Sequence, residues 1–121
     1  MVMHHKLPIH KTGSDLLSIA TTILVKMDRN YKRAVGERIV SHCSDMLNLM
    51  ALANATRGQQ RVRHLQDLLA HQRAATTWLR VAMELKVGAP SHWGNAILKL
   101  ESISKQATRW SASTRQSAPA A

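Results

Sequence analysis

The sequence predicts an all-α protein, an antiparallel up-and-down four-helix bundle, and three observations support this fold class. Apolar residues recur at the three-and-four spacing of one helix face in four successive segments. Short turns join these segments, and no run of Val, Ile or Thr alternates with polar residues as a strand would. Phenylalanine is absent and aromatic residues make up 3% of the chain, so a core of aliphatic residues and methionine is expected.

The first two helices are predicted at Ser14–Met27 and Tyr31–Ala55. Ser14, or Thr12 just upstream, is expected to accept hydrogen bonds from the first-turn amides of the first helix. Gly36 inside the second helix lowers helix stability by up to about 1 kcal/mol relative to alanine. A glycine at such a position indicates the close approach of a neighbouring backbone. The predicted core stripe of the second helix comprises Val35, Ile39, Cys43, Met46, Met50 and Ala53.

The third and fourth helices are predicted at Gln59–Val87 and Ser91–Ser111. Gly88 is expected to end the third helix in the left-handed conformation, and Ser91 to cap the fourth. The predicted core positions of the third helix are Leu65, Leu68, Leu69, Ala75, Leu79, Ala82 and Met83. Those of the fourth helix are Trp93, Ile97, Leu100, Ile103, Ala107 and Trp110.

At 121 residues the chain has the length of one domain. The predicted bundle covers residues 11–111, between a flexible arm at 1–10 and a disordered tail at 112–121, where small polar residues and a proline replace the periodic pattern. Cys43 is the only cysteine, which excludes an intrachain disulfide. No apolar run has the length of a signal peptide core or a membrane span, so we expect a cytoplasmic protein.

The charge balance points to a polyanionic partner. Seventeen Lys and Arg residues stand against seven Asp and Glu, which gives a formal net charge of +10 and a sequence pI near 11.0. A positive potential over most of the surface favours nucleic acid as that partner. The alternatives are a solvated basic face that keeps the protein in solution, and an adaptor that binds an acidic protein surface.

Eight basic residues in the second and third helices are the candidate nucleic-acid contacts. Arg73 and Arg80 are seven residues apart, so they point nearly the same way, with their backbones separated by about 10 Å. The alternative for Arg80 is an ion pair with Glu84 one turn on. The other six form two clusters, at the entrance to the third helix and at the start of the second: Arg57, Arg61 and Arg63, and Lys32, Arg33 and Arg38.

A second apolar surface is predicted on the third helix, away from its core stripe. A step of 100° per residue places Trp78, Val81 and Leu85 beside Ala74 on the outer side. Exposed apolar strips of this kind mark protein interfaces, and tryptophan is a frequent anchor in them, so we predict that these residues mediate self-association. The alternative is that Trp78 covers the end of its own bundle.

No constellation for catalysis, a metal or a cofactor is visible in the sequence, so we do not expect an enzyme. The seven histidines lack the paired spacing of a helical zinc site, and His42, close to the core stripe, is expected to be structural. Asp67 and His71, and likewise Glu101 and Lys105, are four residues apart and are expected to be ordinary helix-face pairs.

Four stretches of the sequence carry a family resemblance: HKLPIHKTGSDLLSIATTIL, YKRAVGERI, WLRVAM and ISKQATRW. Together they resemble the small four-helix-bundle family that contains the accessory variability determinant proteins of diversity-generating retroelements. The same family includes proteins encoded in intervening sequences of bacterial large-subunit ribosomal RNA genes. The resemblance extends from about Lys6 to Trp110.

This resemblance implies a bacterial or phage-encoded homopentameric barrel that partners the reverse transcriptase of a retroelement. Such a protein binds nucleic acid and supports the copying of template-repeat RNA into mutagenised cDNA. Arg80, in WLR, matches a basic family position that resembles a contact to the transcriptase or its nucleic acid. Thr76 stands where related members carry a second basic residue. The alternative within the same family is a protein of the ribosomal intervening-sequence type, without a transcriptase partner.

Overall fold

The computed structural model describes residues 7–117, and within that range it contains four helices and no strand. The second helix, α2, is one continuous rod in which a π-helical turn interrupts the α-helical pattern. Residues 1–6 of the predicted arm and residues 118–121 of the predicted tail lie outside the described range. The helices are α1 (Pro8–Lys26), α2 (Arg29–Tyr31, the π turn Lys32–Gly36, and Glu37–Ala55), α3 (Gly58–Glu84) and α4 (Pro90–Ser117).

The helices form a four-helix bundle in which α1 packs on α2, α2 on α3, α3 on α4, and α4 back on α1. All predicted core positions of α2 are buried, as the 3.6-residue period requires. In α3, Leu69 is only half-buried and Met83 is 43% exposed, whereas Val62 is buried, as is Val87 in the turn that follows. In α4, Ile97 and Trp110 are half-buried at the edge of the core. The predicted fold class is therefore confirmed, with small shifts at the ends of the stripes.

The start of α1 lies at Pro8, six residues before the predicted Ser14. Proline suits the first helical position because its missing N–H would have no helical partner there. Leu7 precedes it without a side-chain cap. The predicted caps are wrong: Thr12 and Ser14 lie inside the helix, where the Thr12 hydroxyl donates to the Pro8 carbonyl at 3.1 Å.

The start of α2 is capped by Asp28, whose carboxylate accepts a hydrogen bond from the Asn30 amide at 2.9 Å. The predicted close approach at Gly36 exists, but α1 side chains rather than a backbone make it. A Cβ at Gly36 would lie 2.5 Å from Leu24 Cδ1 and 2.7 Å from Met27 Sδ. The glycine therefore lets α1 pack directly on the π turn.

The turn between α3 and α4 contains two residues in the left-handed region, Lys86 with φ 57° and Gly88 with φ 82°. Gly88 thus adopts the predicted conformation two residues beyond Lys86. The predicted cap at Ser91 is wrong, because α4 already begins at Pro90 and the Ala89 carbonyl accepts from the first-turn amides. Inside this turn the indole N–H of Trp93 donates to the Val87 carbonyl.

The far end of α4 extends to Ser117, past the predicted end at Ser111. Ser111 and Thr114 are buried, and the Thr114 hydroxyl donates to the Trp110 carbonyl at 2.8 Å. Residues 112–117 of the predicted disordered tail are therefore helical. Small polar side chains on the inner face of the last turns mask the apolar periodicity. The Thr114 hydroxyl bonds to a carbonyl of its own helix, so this side chain can be buried without being apolar.

Candidate nucleic-acid interface

Seven of the eight predicted basic residues lie toward the two opposite ends of the bundle, and Arg73 lies between them. Alternating helix directions bring the end of α2 and the start of α3 together at one end, with Arg57, Arg61 and Arg63. Lys32, Arg33 and Arg38 lie at the start of α2, toward the other end, as Arg80 does on α3. Arg61 and Arg80 are separated by about 28 Å along α3 at 1.5 Å per residue. The clusters therefore form two basic ends rather than one patch.

Arg61 is held in place by two other helices. Its Nε donates to the Ala53 carbonyl at 2.8 Å, a shorter bond than the 3.4 Å contacts that this carbonyl accepts from Thr56 at the C-terminal end of α2. Its guanidinium lies over the ring of Trp110 in α4, 5.5 Å from the ring centroid. This is within the limit of about 6 Å for a cation–π contact. Because α2 and α4 both fix this half-buried side chain, little conformational entropy remains to be lost when it binds an anion.

A cleft of about 350 Å³ opens beside Arg61, and we name it the Arg–Trp cleft. Guanidinium groups and hydroxyls donate hydrogen bonds to phosphate oxygens, and an aromatic ring offers a surface for a nucleobase. No side chain caps the first turn of α3, and that turn contains no acidic residue. The cleft is lined by Arg57, Gly58, Arg61, Trp110, Ser113, Thr114 and Ser117.

Besides Gly58, four members of the Arg–Trp cleft were not among the predicted site residues: Trp110, Ser113, Thr114 and Ser117. The sequence pattern assigned the tryptophan to the core and the other three to the tail. The three-and-four spacing of Ala107, Ser111 and Thr114 is the signal that α4 continues, once small polar residues are accepted as buried.

At the other end of the bundle, Arg38 lies over the ring of Trp78, 5.0 Å from its centroid. Arg33 and Arg80 are exposed. Within residues 7–117 the ion pairs join Lys11 to Asp15, Lys99 to Asp15 and His71 to Asp45, so the alternative pair of Arg80 with Glu84 is not formed. Arg73 is exposed in the middle of α3, between the two basic ends.

The predicted outer strip of α3 is less exposed than the helical projection indicates. Ala74, Trp78 and Val81 are half-buried, and the last two pack against the core of their own protomer. Leu85 is 46% exposed, next to the exposed Met83. The exposed apolar area of α3 therefore lies at its C-terminal end, and Trp78 covers part of its own bundle.

Two predicted helix-face pairs are replaced by other contacts or not formed. His71 faces Asp45 of α2 rather than Asp67 of its own helix, and among the described residues Glu101 and Lys105 form no ion pair.

Burial raises the pKa of the Cys43 thiol to about 12. This thiol therefore stays protonated at neutral pH and is a weak nucleophile and metal ligand.

His42 is half-buried, as expected for a residue beside the core, and packs against His71. Burial is the largest cause that lowers its pKa, followed by the neighbouring His71. Asp45 opposes this shift, and Arg38 adds to it. The imidazole of His42 is therefore neutral at physiological pH.

None of the helices within residues 7–117 combines the length and the apolar character needed to cross a membrane. The chain matches no protein-family model, and no curated protein is significantly similar to it in sequence.

Proposed function

We propose that the protein is a non-catalytic accessory protein of the cytoplasm that binds single-stranded nucleic acid, RNA or cDNA, in the Arg–Trp cleft. The observation that supports this function most strongly is the fixed position of Arg61 between the Ala53 carbonyl and the Trp110 ring. The formal net charge of +10 adds a long-range attraction to any polyanion.

In this proposal the guanidinium groups of Arg57 and Arg61 bind phosphate oxygens of the nucleic-acid backbone. Ser113 and Ser117, both exposed on α4, donate further hydrogen bonds from the opposite wall of the cleft. The free edge of Trp110 contacts a base. A single strand fits this arrangement better than a duplex, because only an unpaired base can leave its stack and reach the edge of the Trp110 ring, whose face Arg61 covers.

We further propose that the partner is a retroelement reverse transcriptase and that the protein supports its copying of template-repeat RNA into mutagenised cDNA. The family resemblance of the four quoted stretches supports this part of the proposal. Arg80 lies in the stretch WLRVAM, is exposed and has no ion pair within the described chain. The basic end that contains Arg80 and Arg33 then contacts the polymerase, while the Arg–Trp cleft contacts the nucleic acid.

Filter binding of single-stranded RNA over a salt series tests the nucleic-acid part. Affinity should fall steeply between about 50 and about 200 mM salt, because each phosphate contact in a single strand adds about −0.7 to the slope of log K against log salt. A protein-only adaptor predicts no measurable RNA affinity near physiological salt, and that result would exclude the proposed function.

We also propose that the protein assembles into a homopentameric barrel, with Leu85 and Met83 at the subunit contact. Light scattering should give a particle several times the chain mass of 13.5 kDa, and Leu85→Asp should reduce it to a single chain. Val25→Asp is the matched control, because Val25 is exposed (67%) on a different helix. A monomeric wild-type protein, or dissociation by Val25→Asp alone, would contradict this interface.

A further inference from the structure

The middle of the α2–α3 contact brings three metal-binding side chains together. His42 and Asp45 lie one turn apart on α2, and His71 faces them from α3. The Nδ1 atoms of His42 and His71 are 2.9 Å apart. The Nδ1 atom of His71 is 3.8 Å from Oδ2 of Asp45. One ligand atom from each residue lies within 4.8 Å of the other two, and all three residues are half-buried.

The distances of 2.9 and 3.8 Å between these ligand atoms lie on either side of the ligand–ligand distance in a tetrahedral metal site. Zinc binds imidazole nitrogen at about 2.0–2.1 Å and carboxylate oxygen at about 2.0–2.2 Å, which puts neighbouring ligand atoms about 3.4 Å apart. The two nitrogens are slightly closer than this and the carboxylate oxygen slightly farther away. To bind one ion, the side chains would have to rotate so that the Asp45 oxygen approaches the two nitrogens.

The paired nitrogens also have the right chemistry for a shared cation. At 2.9 Å one Nδ1 donates an N–H to the lone pair of the other, so both rings already direct one ligand atom to a common point. When an ion binds, the donor ring changes to the tautomer that carries its proton on Nε2, so that both Nδ1 lone pairs are available to the ion. The carboxylate of Asp45 offsets part of the ion's charge, whereas the positive charge of Arg38 opposes the binding of a cation at His42.

We propose that His42, Asp45 and His71 form a binding site for one divalent transition-metal ion, with zinc as the best fit. Two imidazoles and a carboxylate are three ligands that zinc commonly accepts, and they leave a fourth position for water. A groove lined by Asp45, Asn48, Asp67 and His71 gives solvent and ions access to that position. The site does not depend on the Arg–Trp cleft, so either can fail without the other.

Such a site would join the two helices that carry the two basic ends. An ion that binds the folded chain and not the unfolded one stabilises the fold, and this stabilisation grows with the logarithm of the ion concentration above the dissociation constant. His71 is far from His42 and Asp45 in sequence, which explains why the pattern within each helix does not indicate the site.

Isothermal titration of the full chain with zinc chloride tests the proposal. His4, His5 and His10 are also potential ligands, so they are replaced by alanine in every protein used. We expect one zinc ion per chain. Binding should be more than about 100-fold weaker in His71→Ala, a larger loss than replacing a residue that only holds a ligand in place usually causes. Asp45→Asn, which alters a half-exposed side chain, should also weaken binding while the fold is retained.

His64→Ala is the matched control, because His64 is half-buried on the same helix two turns before His71. It should bind zinc as the parent does. Zinc should raise the melting temperature of the parent and of His64→Ala, but not that of His71→Ala. Cobalt(II) should give the visible absorption of a tetrahedral ion in the parent. Absence of zinc binding in the parent, or equal affinity of parent and His71→Ala, would overturn the proposal.

Discussion

Trp93→Ala is expected to lower the free energy of unfolding by about 3–5 kcal/mol, the usual cost of deleting a fully buried tryptophan side chain. Trp93 is only 2% exposed and is the largest side chain in the core. Its indole fills the space under the turn between α3 and α4. A Cβ at Gly88 would lie 3.1 Å from the indole nitrogen and 3.3 Å from Ile23 Cγ2, so the three parts are closely packed.

The loss has two physical components. Truncation leaves a cavity that α1 and the turn cannot fill completely, and it removes the donor that satisfies the Val87 carbonyl. Trp93→Phe keeps most of the ring volume but not the N–H, so it should fall between the wild type and Trp93→Ala. Stability near 5–15 kcal/mol is typical of a domain, so the alanine variant loses a large share of it.

Urea denaturation followed by circular dichroism measures this effect. Trp110→Ala is the control, because Trp110 is half-buried at the edge of the core and should cost less. A change below about 1 kcal/mol in Trp93→Ala, or a larger change in Trp110→Ala, would show that Trp93 does not anchor the turn.

The double variant Arg57→Ala/Arg61→Ala is expected to bind single-stranded RNA at least tenfold more weakly near physiological salt. If each guanidinium contacts one phosphate, the slope of log K against log salt should become shallower by about 1.4. The change removes both cationic side chains from the Arg–Trp cleft. Filter binding over the same salt series as for the wild type gives affinity and slope together.

Arg73→Ala/Arg80→Ala is the charge-matched control, because both of its arginines are exposed on the same helix and outside the cleft. It should retain most of the RNA affinity. If the two double variants lose affinity equally, binding follows net charge and the cleft has no special role. Arg61 also bonds to Ala53, so circular dichroism of each variant must show an intact helical fold.

Sequence periodicity predicts the interior of this bundle well and its ends less well. The stripe from Val35 to Ala53 is buried throughout, because apolar side chains at helical spacing share one face of the helix, and packing that face against the other helices removes them all from water. The start of α1 at Pro8 and the end of α4 at Ser117 were missed for a related reason. Polar and small residues dominate those turns, and their burial depends on the neighbouring helix.

The candidate sites depend on contacts between helices, which explains why the sequence predicts them only in part. Arg57 and Arg61 were predicted from charge alone, but Trp110 and the hydroxyls opposite them come from α4. His42 and His71 meet only after α2 packs on α3. The pentameric barrel, the nucleic acid and the reverse transcriptase partner stay predictions until the binding and scattering experiments are done.

The separation of the basic residues into two ends has a consequence for how a complex would be organised. A molecule bound at one end leaves the other end accessible, so two partners can bind the same protomer without competing for one site. The helical rod between them would set their distance at about 28 Å, in the manner of a stiff spacer. A template strand and an enzyme held in this way would meet at a high effective concentration, without any direct affinity for each other.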